Sequence, residues 1–350
     1  MNNKISGSAV RYRWLDALRG FCILTVVYIH NVFDKSTVVD TACTKWITAF
    51  HMFLFFAISG FLFKYSKMDA KYLAKKAKSL MIPFVIWGLV VSKLVEIVSD
   101  ISNIKSYHPD IKSDIIKILT GRYSGMGCWF LLALMMVFIF EFLLKTLLVR
   151  KNEQINVLSP KFILAHIVLL LAGYFIPTSI GQYFSIKLGL VASFFFYIGM
   201  VIKEIWDKYD NAKIVKHIDN IWVGIAAIII ATVLNIFNKK VTFSAAKFSC
   251  APLTLLNAVL FIIGFILLFK NLDSYMGNAK ITSVLCDFGK YSLEILCTHK
   301  IFILAFRIVE MLFKMEDHSF PSVIAFIIVA IIEYILIKFI FNRVKFVFGK

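Results

Sequence analysis

The sequence predicts an all-α, polytopic integral membrane protein of about ten transmembrane helices, with both termini on the cytoplasmic side. Three observations carry this. Of 350 residues, 60% are apolar and only 17% charged, against roughly 45–50% and about 25% in soluble domains. The apolar residues fall in long runs separated by short charged connectors. Lys and Arg favour every second connector, 21 of them against 10 in the intervening ones, the bias that sets orientation in a bilayer.

About 20 apolar residues in helical form span ~30 Å of hydrocarbon, where each backbone amide must be satisfied within its own segment. Ten runs fit. The first, 14–33, follows Arg11 and Arg13, carries Asp16 and Arg19 in its opening turns, and is apolar from there to His30. The second, 46–63, is rich in phenylalanine. It ends at Lys64, Lys67, Lys71, Lys75, Lys76 and Lys78, the strongest single orientation signal. The third, 80–98, and the fourth, 127–149, are bounded by polar connectors, and the fourth contains Glu141 and Lys145. Pro177 weakens the fifth, 162–180. The runs 186–202, 218–237 and 253–269 are almost uncharged. The ninth, 290–313, carries several ionisable residues, and 321–341 completes the set. Most runs show no period-two alternation, which argues against a membrane barrel. With no internal repeat or low-complexity linker, residues 1–350 read as one membrane domain. The opening run holds Asp16 and Arg19 and has no small-residue cleavage site after it, so no cleavable signal peptide is expected.

The net charge of +18 sits in the connectors rather than on an amphipathic or modular pattern, which assigns it to membrane topology and argues against nucleic acid. Six isolated cysteines, with no CxxC or paired spacing, argue against a disulfide framework and against a zinc or other metal site. The GxSxG, HExxH, P-loop and GxGxxG signatures are absent.

Charged groups within membrane helices are costly and mark candidate functional positions. Asp16, Arg19, Ile23, Val26 and His30 recur at spacings of three or four and share one stripe of the first helix. Arg19 and His30 are separated by about 16 Å of rise and about three turns, so they face one way at different depths. Asp16 can pair with Arg19, and Asp34, one turn past His30, can orient that ring. A short connector brings His51 to a similar depth. The alternative for each histidine is a satisfied interfacial residue at a helix end. Glu141 and Lys145 form an i,i+4 pair that reads as structural. Glu294, His299, Lys300 and Arg307 in the ninth helix point to a polar cavity, with Lys300 and Arg307 on one face. Lys93, Glu96, Glu333 and Lys338 lie near helix ends and read as structural.

The stretch Arg13-Trp14-Leu15-Asp16-Ala17-Leu18-Arg19-Gly20, with His30 after it, resembles the opening helix of acyltransferase family 3. His51-Met52 through Ser59-Gly60-Phe61 is similar to the family's second-helix motif, with Phe53 where proline is usual. The resemblance continues through Lys78-Ser79-Leu80-Met81-Ile82-Pro83, Trp129-Phe130-Leu131, Phe195-Phe196-Tyr197-Ile198-Gly199 and Gly289-Lys290-Tyr291-Ser292-Leu293-Glu294 with His299. These stretches cover nearly the whole chain. The resemblance implies a bacterial membrane O-acyltransferase of the stand-alone form, without a fused extracytoplasmic domain. It would lie in the cytoplasmic membrane and move an acyl group, usually acetyl, from cytoplasmic acyl-CoA to a sugar hydroxyl of a cell-surface polysaccharide or its lipid-linked precursor. Acetyl-CoA would be a co-substrate, with no bound cofactor.

The residues admit a mechanism compatible with that implication. His30 can take the hydroxyl proton, oriented by Asp34 or His51. Arg19 suits charge on the donor or on a developing oxyanion. Lys75, Lys76 and Lys78 can hold CoA phosphates or serve purely as topology determinants. Asp16, Trp129, Glu294 and His299 complete the expected donor- and substrate-binding set. A glycan or lipid-linked-sugar transporter is the main alternative, but the two-half symmetry common in transporters is missing. A structural scaffold leaves Arg19, His30 and His51 unexplained.

Overall fold

A computed structural model describes residues 11–32, 37–102, 111–122, 127–150, 153–209, 211–238, 241–243, 248, 250–276, 279–312, 322–341 and 343–350. Among these the regular structure is helical throughout. The first expected span is helix α1 (Arg13–Asn31). The second run divides in two. Helix α2 (Val38–Thr48) starts at a capping box between Thr37 and Asp40. Phe50 then leaves helical geometry (φ −135°, ψ −35°), and α3 (His51–Phe61) follows. The break goes with packing: the Phe50 ring sits against Trp46 and Phe265, centroids 4.8 and 4.7 Å away.

Helix α4 (Ala70–Ser102) begins three turns before the expected run, which takes the lysine-rich stretch into the helix, and keeps Pro83 in its interior. Helix α5 (Ile111–Leu119) lies in what reads as a connector. Helix α6 (Trp129–Leu148) matches its run. Helix α7 (Pro160–Phe175) has proline in its first turn and stops short of 180, because Pro177 forces Ile176 out of helical geometry. A single turn, α8 (Thr178–Gly181), follows. Helix α9 (Ile186–Tyr209) runs seven residues beyond expectation, and short α10 (Lys213–Ile218) leads into α11 (Ile221–Phe237). Asn220 caps α11 by accepting from the Trp222 and Val223 amides. Helices α12 (Ala251–Met276), α13 (Lys280–Lys290), α14 (Ser292–Leu312) and α15 (Ser322–Phe339) complete the chain. The ninth expected run therefore starts with a turn at Tyr291, and α13 occupies an expected connector.

Five stretches among the described residues are long and apolar enough to cross a membrane: Val38–Phe61, Ala70–Leu94, Trp129–Leu148, Tyr183–Tyr209 and Ala251–Tyr275. Helices α7 and α11 are apolar but shorter. Large apolar side chains such as Leu164, Val168, Trp222, Ile229 and Phe237 are exposed on the outer surface, as expected where lipid rather than water is the solvent.

Helix α1 lies inside the bundle, packed against α3, α12, α13, α14 and α15. Glycine brings helices together at several crossings, most tightly at two. A Cβ at Gly20 would fall 1.9 Å from the Leu285 carbonyl oxygen, and one at Gly289 would fall 1.8 Å from that of Asp16. Where α3 crosses α9, a Cβ on Gly60 would meet the Phe196 carbonyl at 1.8 Å and one on Gly199 the Ala57 carbonyl at 1.8 Å. At each of these two crossings reciprocal glycines bring backbone onto backbone, the close approach that packs helices in lipid. The start of α1 and the ends of α3 and α9 meet in an aromatic cluster of Tyr12, Trp14, Phe61 and Trp206.

Candidate active site

The α1 stripe faces α14. At one end a guanidinium nitrogen of Arg19 donates to Ser292 Oγ at 2.9 Å. At the other, His30 Nδ1 lies 2.8 Å from His299 Nε2, with ring centroids 5.0 Å apart and planes 18° from parallel. Beside the stripe is a cavity of about 160 Å³ enclosed by α1, α3, α4, α6 and α14. Arg19, Ser59 and Ser292 supply its polar lining, while Ile23, Val26, Phe55, Leu131 and Leu296 are among its apolar walls. Val26 is one turn short of His30, so the cavity follows the stripe from the arginine toward the histidine.

Several sequence expectations take a different form. Asp16 pairs with Arg11 at 2.6 Å, and Arg19 spends its hydrogen bond on Ser292. An i,i+3 contact would turn Arg19 back toward the helix start, whereas Ser292 holds it toward α14. The ring nitrogen touching His30 belongs to His299. His51 is buried at the start of α3, with Nδ1 2.8 Å from the Ile47 carbonyl. Asp34 lies outside the described residues, as does the Arg307 side chain. The lysines separate by helical phase. Lys75 and Lys78 are exposed, but Lys76 turns inward and half-buries over the rings of Tyr72 and Phe138, 5.4 and 5.0 Å from their centroids. Lys76 also lies within electrostatic reach of Arg19.

Trp129 opens α6, but its neighbours Phe130 and Leu131, not Trp129, line the cavity. Glu294 is buried, and its Oε1 accepts from Lys350 Nζ at 2.5 Å. The expected Glu141–Lys145 pair does not form. Glu141 is fully buried and bound by Tyr65 Oη and by His166 Nε2 at 3.0 Å. Lys145 instead donates to the Tyr65 and Met68 carbonyls. That cluster joins α6 to α7, a contact that no local spacing discloses. Ser292 was also missed as a partner, because a serine beside a turn carries no signal of what lies across the bundle. Among the described residues no group of His, Cys, Asp and Glu could hold a metal ion.

The arrangement is an arginine in the wall of a largely apolar cavity and, one turn of α1 beyond the cavity-lining Val26, a histidine, all within a helical bundle. A family model described as an acyltransferase domain, that of acyltransferase family 3, matches residues 12–339. The chain belongs to acyltransferase family 3. It is thereby a membrane acyltransferase. No curated protein and no solved structure matches it. The family match spans α1 through α15, so both walls of the cavity and both histidines of the α1–α14 contact lie within the acyltransferase domain.

Proposed function

We propose that this acyltransferase moves an acyl group, usually acetyl, from cytoplasmic acyl-CoA to a sugar hydroxyl of a cell-surface polysaccharide or its lipid-linked precursor. The observation that carries the reading is the alignment of Arg19 and His30 at opposite ends of one stripe, with a cavity alongside. An acyl-CoA has a phosphate-bearing head and a long arm ending in a thioester. Arg19, with Lys76 nearby, suits the anionic part of such a donor. His30, about 16 Å further along the helix, suits the reacting end.

In the reaction the sugar hydroxyl oxygen attacks the thioester carbonyl carbon while His30 takes the hydroxyl proton. The tetrahedral intermediate collapses with cleavage of the carbon–sulfur bond, and the departing thiolate takes the proton back from His30. The products are a sugar ester and free CoA thiol. In this reading about ten helices cross the cytoplasmic membrane with both termini inside, Arg19 lies toward the cytoplasm and His30 toward the outer face. The acyl group then crosses within the protein. Lys75 and Lys78, facing outward, serve topology, and Lys76 is the lysine of the three assigned to the donor.

The test is NMR of purified surface polysaccharide from cells with and without the gene. Acetyl ester signals are expected to disappear with the gene and return on complementation. Identical acylation in both strains would remove surface glycan as the acceptor.

A further inference from the structure

We infer that His299 is a positioning residue for His30, fixing which of its ring nitrogens carries the proton. The inference rests on the proposed role of His30 as the base. His299 Nδ1 lies 2.8 Å from the Ile295 carbonyl oxygen, one turn earlier in α14. A carbonyl can only accept, so this nitrogen carries a hydrogen. His299 is fully buried, and among the described residues no carboxylate contacts either ring, so a charged imidazolium there would lack a counter-ion. In the neutral ring the other nitrogen, Nε2, holds a lone pair. That is the atom 2.8 Å from His30 Nδ1. His30 Nδ1 therefore donates, and the lone pair of a neutral His30 must sit on Nε2.

The protons run in one direction: His30 Nδ1–H to His299 Nε2, and His299 Nδ1–H to the Ile295 carbonyl. The 5.0 Å centroid separation and 18° interplanar angle fit rings joined nitrogen to nitrogen rather than stacked face on face. Each link has a fixed end, because the last acceptor is a helix backbone. His30 Nε2 is thus presented as the proton acceptor, and when it becomes an imidazolium the same chain holds its Nδ1–H. A histidine without this partner would divide between two tautomers and rotate about its side-chain bonds. Among the described residues, the ionisable groups within electrostatic reach of His30 are His299 and Lys300 on α14 and His51 on α3. None of these is a carboxylate that could do the same work.

The discriminating pair is His299→Gln and His299→Leu. The Gln side-chain oxygen can accept from His30 Nδ1 near the position of Nε2, while Leu fills similar space without an acceptor. In purified enzyme with labelled acetyl-CoA, Leu is expected to lower kcat by about tenfold or more, within the range that a general base contributes. KM for acetyl-CoA should remain within about twofold, and Gln should recover most of the lost kcat. Nitrogen-15 NMR of histidine-labelled protein reads the tautomer directly. His30 is expected as the Nδ1–H form in the parent enzyme and as a tautomer mixture in His299→Leu. An unchanged His30 spectrum in His299→Leu, or Gln and Leu equally impaired, would overturn the inference. Failure of the underlying reading looks different: His30→Ala would retain full transfer whatever happens at position 299.

Discussion

At the scale of single residues, what matters is which atom each side chain presents and what fixes it there. Arg19 is held toward the cavity by Ser292, and Lys76 is turned inward from the same end of the bundle. Replacing Lys76 by Ala is expected to raise KM for acyl-CoA about 10-fold or more, the scale of a lost charge-assisted contact of ~1.5–3 kcal/mol. Lys75→Ala and Lys78→Ala should leave it unchanged. Steady-state kinetics with varied acyl-CoA checks this, and equal effects at all three positions would return Lys76 to a topology role. Arg19→Lys keeps charge but loses the planar fork, so it should recover only part of what Arg19→Ala loses. A full recovery would mean that charge alone matters there.

The stripe from Arg19 to His30 was legible in the sequence because helical periodicity is a local property. Partners were not. Spacing of three residues suggests that Asp16 pairs with Arg19, but Arg11 and Ser292 take the two groups apart. His299 stands out in the sequence as an intramembrane ionisable residue, yet nothing in its spacing says that it meets His30. That contact joins two helices far apart in sequence.

At the scale of helices, apolar runs disclosed most elements and misjudged their ends. Run length reports where hydrocarbon would be, while helix ends follow caps, prolines and packing. Thus α4 extends back into a lysine-rich stretch, and Pro177 ends α7 early. Helix α13 was missed because it carries Lys280, Asp287 and Lys290 and reads as a polar connector. It nonetheless packs closely along α1. The glycines within the stretches that resemble the family acquire a physical reason here. Gly20 and Gly289 make the α1–α13 crossing, and Gly60 and Gly199 make the α3–α9 crossing. Gly289→Ala places a methyl group 1.8 Å from the Asp16 carbonyl oxygen, so the helices must separate. A loss of about 1–3 kcal/mol or more is expected, as for overpacking elsewhere. It should appear as a lower unfolding temperature of the detergent-solubilised protein. A parent-like melting curve would show that the crossing is loose.

At the scale of the whole molecule, the charge bias of the connectors and the apolar surface fit a bundle seated in a bilayer. The described stretches that satisfy length and hydropathy together number five, fewer than the ten expected runs. In the proposed topology α1 and α14 are membrane helices whose ionisable groups lower their hydropathy. Of their described ionisable residues, Glu294 and His299 are buried and Arg19 is half-buried, as intramembrane charges are elsewhere. Both termini are proposed to lie inside. A green fluorescent protein fused after Lys350 should then fluoresce, and alkaline phosphatase fused there should be inactive. An active phosphatase would invert the orientation and place His30 on the cytoplasmic side.

In the proposed mechanism His30 is the base for acyl transfer from a cytoplasmic donor to a glycan. The most direct measurement uses inside-out membrane vesicles, whose cytoplasmic face is exposed to radiolabelled acetyl-CoA. Vesicles carrying the parent enzyme should incorporate alkali-labile label into glycan. His30→Ala, present at equal level and with the same membrane insertion, should incorporate none above background. Equal incorporation by His30→Ala would contradict that mechanism.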